Sequence, residues 1–348
     1  MLITNALLKG LRRVSFAVTS QVSHSISRRS GFAAALLAFG LFQGPIQAQS
    51  VADWPNRPIR IIVPYTPGGS TDVAARIVMD KLSVRLKQSI IIENKPGANG
   101  NVGATLAARS EPDGYTFVSV LAAYSVNPHL YNMPFTPDAL VPVTKMAALP
   151  LFLFINNALP VKTVQELIAY GKANPGKLNY ASSGTGSSAH MTGTNFSLLS
   201  DIQTQHIPYK GSVPILADLL SGELSFCFDT MVVFMPQVKE NKLRVLAVTS
   251  ARRWPSEPNI PTMQESGFPG FEMGSWTGLM APKGTPKAII DKMAAEIKIV
   301  LSDPEVQQKY LNAGFIAEPS TPAQFGELIE RDGAMYGGII KAAKISAN

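Results

Sequence analysis

Three short polar segments carry the side chains that can do chemistry. YTPGGSTD places Tyr65, Thr66, Ser70 and Asp72 around Gly68 and Gly69, directly after the apolar run IRIIV. SSGTGSSAH places Ser183, Thr185 and Ser187 among Gly184 and Gly186, with His190 one turn further on. Asp229 and Thr230 follow the apolar stretch LSFCF. A fourth loop, KPGANGNVG, has the same small, polar character. Such turns between strand and helix offer backbone N–H groups at a helix start, where negative charge is favoured. Gly68 and Gly69 permit positive φ, Ser70 suits a helix cap, and Asp72 in the first turn can pair with Arg76 four residues on. The chemistry these segments offer is the holding of an anion.

They lack what other chemistries need. A phosphate-gripping P-loop requires Gly-x-x-x-x-Gly-Lys-Ser/Thr, and PGGSTD has no such lysine. GTGSSA resembles a dinucleotide fingerprint, but no acid ends a strand some 20 residues later to hold a ribose. The histidines are His24, His129, His190 and His206, with no metal-ligand spacing, so neither a metal nor a cofactor is expected. SSGTGSSAH is not a Gly-x-Ser-x-Gly nucleophile elbow. Ser187 and His190 can meet on one helical turn, which keeps an exported hydrolase as the alternative function. Cys227, alone in the chain, reads as a buried small hydrophobe. Asp229 reads either as an N-cap or as the rim of a pocket at a strand's carboxyl end.

The elements that must position these loops alternate between strand and helix, which argues for α/β layers. IRIIVPY, SIIIEN, YTFVSVLA, PLFLFIN, QTQHIPY, LSFCFD and LRVLAVTS read as strands. Several are apolar on both faces, as in a sheet covered by helices on each side. STDVAARIVMDKLSVRL, VQELIAYGKA and VPILADLLSG read as helices. Thr163 with Glu166 forms a capping-box pattern, and Thr285, Asp303 and Thr321 each precede a proline suited to the first helical position. After Pro286, Ile289, Ile290, Met293, Ile297, Val300 and Leu301 form one apolar stripe. The Pro-rich stretch 252–271 suits a crossing between domains or a surface loop.

The chain of 348 residues has a formal charge of +7, but five basic residues precede the first acid, Asp53, and the remainder is close to neutral at +2. The basicity therefore gives no sign of a nucleic-acid surface. The N-terminal part reads as an export signal: Arg28 and Arg29, the apolar run 31–42, too short to span a bilayer, and small residues around Ala48. A periplasmic protein without an internal disulfide is expected.

The segments VPYTPGGSTDVAAR, IIENKPGANGNVGA, PDGYTF, YASSGTGSSAH, IPYKGSVPILADLLSGELSFCFDT, LRVLAVTS and SWTGLMAPKGTP together resemble the Bug receptors, the solute-binding proteins of tripartite tricarboxylate transporters. The similarity runs from about Trp54 to the C-terminal helix. It implies a type II periplasmic-binding-protein fold: two α/β lobes with a ligand cleft between them. The implied division is a signal peptide 1–48, lobe 1 from 49–150, lobe 2 from 151–271, and a return to lobe 1 over 272–348. It implies a monomeric, non-enzymatic receptor for a di- or tricarboxylate, an acidic amino acid or an aromatic acid, delivered to membrane transporter subunits. A sensing role without transport is a further alternative. The ligand carboxylate would be held by backbone groups, small hydroxyls and waters. Carried over position by position, the site comprises Tyr65, Thr66, Gly68, Gly69, Ser70, Asp72, Ser183, Gly184, Thr185, Gly186, Ser187, His190, Asp229 and Thr230. Tyr124 and Ser125 fall where the family often has small or polar residues. Tyr124 is a bulky departure that either stacks on the ligand's distal end or covers the lobe.

Overall fold

Strands at both ends of the chain's described part share one sheet, and the strands between them form another. The computed structural model describes residues 53–209 and 211–346; the expected export signal and its cleavage site lie outside them. The first sheet is built from β1 (Ile59–Val63), β2 (Ile90–Asn94), β3 (Thr116–Leu121), β4 (Leu140–Pro150), β10 (Gly274–Pro282) and β11 (Ile316–Ala317). Their order is β11-β4-β10-β3-β1-β2. β1 runs parallel to β2 and β3, whereas β10 is antiparallel to β3 and β4. The second sheet, ordered β7-β6-β8-β5-β9, uses β5 (Phe152–Asn156), β6 (Leu178–Ser182), β7 (Thr204–Pro208), β8 (Phe226–Asp229) and β9 (Leu243–Val248).

The chain passes from the first sheet to the second through Leu151 alone, and returns over 249–273. The returning strand β10 lies against the departing β4, with Gly274 opposite Pro150. A Cβ at Gly274 would stand 2.8 Å from the Leu149 carbonyl oxygen, so only glycine lets the two crossing strands approach this closely. The Pro-rich stretch 252–271 lies within the return segment. It is pinned to the second sheet by Trp254, Met263 and Phe271, all buried.

Ten helices among the described residues cover the sheets: α1 (Ser70–Leu86), α2 (Asn101–Ala108), α3 (Ala123–Leu130), α4 (Val164–Ala173), α5 (Ser188–Ser200), α6 (Ser212–Ser221), α7 (Met231–Lys239), α8 (Lys287–Leu301), α9 (Pro304–Asn312) and α10 (Pro322–Ala343). None is long and apolar enough to cross a membrane. β5 shows why its first four residues are all apolar. Phe152 and Phe154 pack into a core with Phe234 and Trp254, while Leu153 and Ile155 pack into another with Phe196 and Phe228. The stripe on α8 packs against β4 and α1, buried except for the half-buried Ile290, as its spacing requires.

The capping signals hold at three helices. Thr163 Oγ1 accepts the Glu166 N–H at 3.1 Å, Asp303 caps α9, and Thr321 forms a capping box with Gln324. At α8 the expected cap shifts by one residue: Pro286 is the N-cap, and Thr285 Oγ1 donates to the Pro282 carbonyl. Helix α10 begins on the first sheet, where Phe325 meets Trp276, and ends with Tyr336, Ile339 and Ile340 in the second sheet's core.

Candidate functional site

A cavity of about 540 Å³ lies where residues from both sheets converge. From the first sheet's side come Tyr65, Gly68, Ser70, Asn99, Ala123, Ser275 and Phe315; from the second come Ser183, Ser187, Ser188, Ser212, Asp229 and Thr230. Leu149 and Leu151, which flank the first crossing, also line it. The parallel strands β1, β6 and β8 direct their carboxyl ends toward these loops, the place where open α/β sheets gather ligands.

Five helices start on this wall. Ser70, Ala123, Ser188 and Ser212 are the first residues of α1, α3, α5 and α6, and Thr230 is the N-cap of α7. No side chain caps α1, α3, α6 or α7, and α5 alone is capped, by Ser187 Oγ on the His190 N–H at 3.2 Å. First-turn N–H groups without a capping partner, at helix ends that carry partial positive charge, favour an anion. Among the described residues the wall carries no Lys, Arg or His, so that preference comes from N–H groups and hydroxyls rather than from cations.

Ser70 follows the N-cap rather than serving as it: Gly69 is the N-cap, and Ser70 stands in the first helical position on the wall. Gly68, at φ 78°, adopts the left-handed conformation the turn needs. Asp72 lies behind the loop and is 2% exposed. Its Oδ2 accepts the Gly68 N–H at 2.9 Å and Arg76 Nε at 2.9 Å, and its Oδ1 accepts Asn94 Nδ2 at 2.9 Å. Burial pushes the Asp72 carboxyl up, but the bonds from Arg76, Gly68 and Asn94 together hold it below the usual range. Thr66 is exposed and off the wall, where its carbonyl accepts the Gly69 N–H at 3.2 Å.

In the second loop Ser183 and Ser187 reach the cavity, whereas Thr185 and His190 line a separate hollow of about 600 Å³ with His206. Gly184 and Gly186 provide the turn and are not on the wall; Gly186, at φ 80°, packs so close to Leu130 that a Cβ would meet its Cδ1 at 2.9 Å. His190 Nδ1 accepts the Gly186 N–H at 3.2 Å, and its ring stacks on His206 with centroids 3.7 Å apart. Burial depresses both imidazoles, His190 to about 3, with His206 adding to the shift, and His206 to about 4. The contact expected between Ser187 and His190 is therefore a helix cap made by the backbone, with the ring turned to His206.

Asp229 is 6% exposed, and its Oδ1 accepts the Thr230 N–H at 2.7 Å and the Ser212 hydroxyl at 3.0 Å. Burial pushes this carboxyl up to about 6 against those bonds. Tyr124 and Ser125 are buried in α3 and off the wall. The Tyr124 ring packs over Phe135, 6.5 Å away at 19°, in the core that includes Trp276. Of the two alternatives for this bulky side chain, its packing matches cover for the lobe.

Asn99, Ser188, Ser212 and Ser275 were not among the residues expected in the site. Asn99 has a signal in KPGANGN: it adopts φ 52°, which Asn tolerates, and its Nδ2 donates to Asn127 Oδ1 at 2.8 Å. Ser212 follows Gly211 at a helix start, the same pattern that marked Ser70. Ser275 sits on β10 with no loop pattern to mark it.

The profile of the tripartite tricarboxylate transporter family receptor matches residues 74–345. The chain is 34% identical over 301 residues to the protein BugT of Bordetella pertussis, covering 85% of this chain and 91% of that one. Its fold is similar to the periplasmic binding protein BugD, with 32% identity and a TM-score of 0.72 over 85% of this chain and 100% of that one. It is also similar to Rpa4515 of R. palustris with adipate, with 33% identity and a TM-score of 0.75 over 84% of this chain and 99% of that one.

Proposed function

The chain belongs to the tripartite tricarboxylate transporter receptor family, and from that premise we propose that it captures a small carboxylate in the cavity between its lobes and delivers it to membrane transporter subunits. The observation that carries this reading is the convergence of five helix starts on a wall that, among the described residues, has no cation. N–H groups and the hydroxyls of Ser70, Ser183 and Ser187 would hold the ligand carboxylate, directly or through water. Adipate in the R. palustris relative is a ligand of this class. The ligand contacts both lobes only when they close, so binding favours the closed form.

In this reading lobe 1 spans 49–150 and 272–348 and lobe 2 spans 151–271, with α10 bridging the two. Export through the N-terminal signal places the mature monomer in the periplasm. Capture is favoured over hydrolysis by one contact: Ser187 Oγ accepts the His190 backbone N–H, while that residue's ring Nδ1 accepts the Gly186 N–H. A nucleophile needs the ring, not the backbone, as its base.

A thermal-shift screen against succinate, malate, adipate, citrate, glutamate and benzoate tests the reading. A ligand at about 100 times its Kd adds roughly 2.7 kcal/mol, which raises Tm by several degrees in a chain of this size. A flat response across the panel contradicts the assignment.

A further inference from the structure

The wall that receives a carboxylate holds a carboxyl of its own. Asp229 Oδ1 takes three donors, Thr230 N–H, the Ser212 hydroxyl and, at 3.4 Å, the Thr230 hydroxyl, while Oδ2 is buried with no hydrogen-bond partner among the described residues. A buried, unpaired carboxylate oxygen is costly, and an anionic ligand beside it would add like-charge repulsion. Among the described residues no cation on the wall offsets either term, and the only other titratable wall residue is Tyr65.

The titratable residues on the elements packed around β8 do not supply a cation at this carboxyl either. β5 has none, β6 carries Tyr180, α5 carries His190, α6 carries Asp218, and α7 carries Lys239 in its last turn. On β8 itself the Cys227 thiol is pushed up by burial and by the Asp229 charge. A single proton resolves both difficulties. It gives Oδ2 a hydrogen to donate, and it removes one of the two negative charges.

Resting on the carboxylate reading above, we propose that Asp229 takes up a proton from solvent when the ligand binds and donates an O–H···O⁻ bond to the ligand carboxylate. Capture of the anion is then coupled to uptake of about one proton, and Asp229 is a binding residue that reads the ligand's charge. The free carboxyl already leans this way, since burial pushes it up to about 6. A bond of this kind, between an acid and a carboxylate, is among the stronger hydrogen bonds.

Isothermal titration in phosphate and in Tris, with the first of succinate, malate, adipate or citrate that binds, reads proton uptake from the dependence of the heat on the buffer. Near pH 8 the wild-type protein should take up close to one proton per ligand, and Kd should weaken about tenfold per pH unit above the free carboxyl's range. Below about pH 5 the uptake should vanish, because Asp229 is then already protonated. In Asp229→Asn the heat should not depend on the buffer and the affinity should not depend on pH. Wild-type binding without uptake near pH 8, or uptake that persists in Asp229→Asn, overturns the proposal while leaving carboxylate capture intact. Should Asp229→Asn fail to fold, the wild-type uptake and its pH profile decide alone. Silence from every acid in the wild-type protein overturns the capture reading and this proposal with it.

Discussion

The carboxylate of Asp72 accepts the backbone N–H of Gly68 at 2.9 Å, from behind the loop whose front faces the cavity. An acid at a glycine-rich anion loop would repel the anion if it faced the ligand. Here it is 2% exposed and tied to Arg76 and Asn94, so its charge is compensated and its geometry shapes the turn. Asp72→Ala removes three hydrogen bonds and leaves the wall's own atoms unaltered. It should lower stability by about 2 kcal/mol and weaken ligand binding by loosening the loop. Chemical denaturation and titration on the same variant check both effects.

Tyr124 packs against Phe135 and does not line the cavity. Tyr124→Phe should therefore leave the ranking of carboxylates unchanged. Asn99→Ala removes a polar wall residue and its bond to Asn127, and should change that ranking. Comparing the affinities of three acids in both variants distinguishes a core role from a contact with the ligand.

His190 and His206 stack with centroids 3.7 Å apart, and burial lowers both from their ordinary value near 6.5, to about 3 and about 4. Because the folded values lie below the unfolded one, the pair's contribution to stability is complete above about pH 6.5. It is lost as pH falls through 4 toward 3. The steep acid limb should flatten in His206→Gln, as read by Tm across that range.

Asp229 has the opposite sign. Its carboxyl is raised from 3.8 to about 6, so the stability tied to its protonation is complete below about pH 3.8 and is lost as pH rises through 6. Relative to Asp229→Asn, the ligand-free wild-type protein should lose stability between about pH 4 and pH 6. The expected size is on the order of 1–3 kcal/mol, measurable by denaturant titration at each pH.

Most of the framework was legible because burial on both faces leaves a plain trace. IRIIV, FLFIN and FCFD are each apolar at all but one position, since helices cover both sides of their sheets. β4 and β10 were less visible: LVPVTKMAALP contains proline and lysine, and GSWTGLMAP mixes glycine with polar residues, because both strands run along the crossing between sheets. The loops PGGSTD and SSGTGSS announced the cavity through glycine and serine next to strands. Spacing alone does not tell which face of a loop looks inward, so Asp72, Thr185 and His190 carry the same sequence signal as Ser70 and Ser187 although they lie off the wall. Ser275 left no local mark, since only the pairing of β10 with β3 and β4 brings it to the wall.

The account stands most directly on whether a carboxylate occupies this cavity. Isothermal titration of the wild-type protein and of Val233→Trp, which places an indole where a half-buried wall residue stands, addresses that question. The account predicts saturable binding of one carboxylate per chain in the wild type, and its loss in a Val233→Trp protein that still melts cooperatively. Equal binding in the two proteins, or no binding of any di-, tri- or aromatic acid to the wild type, would contradict it.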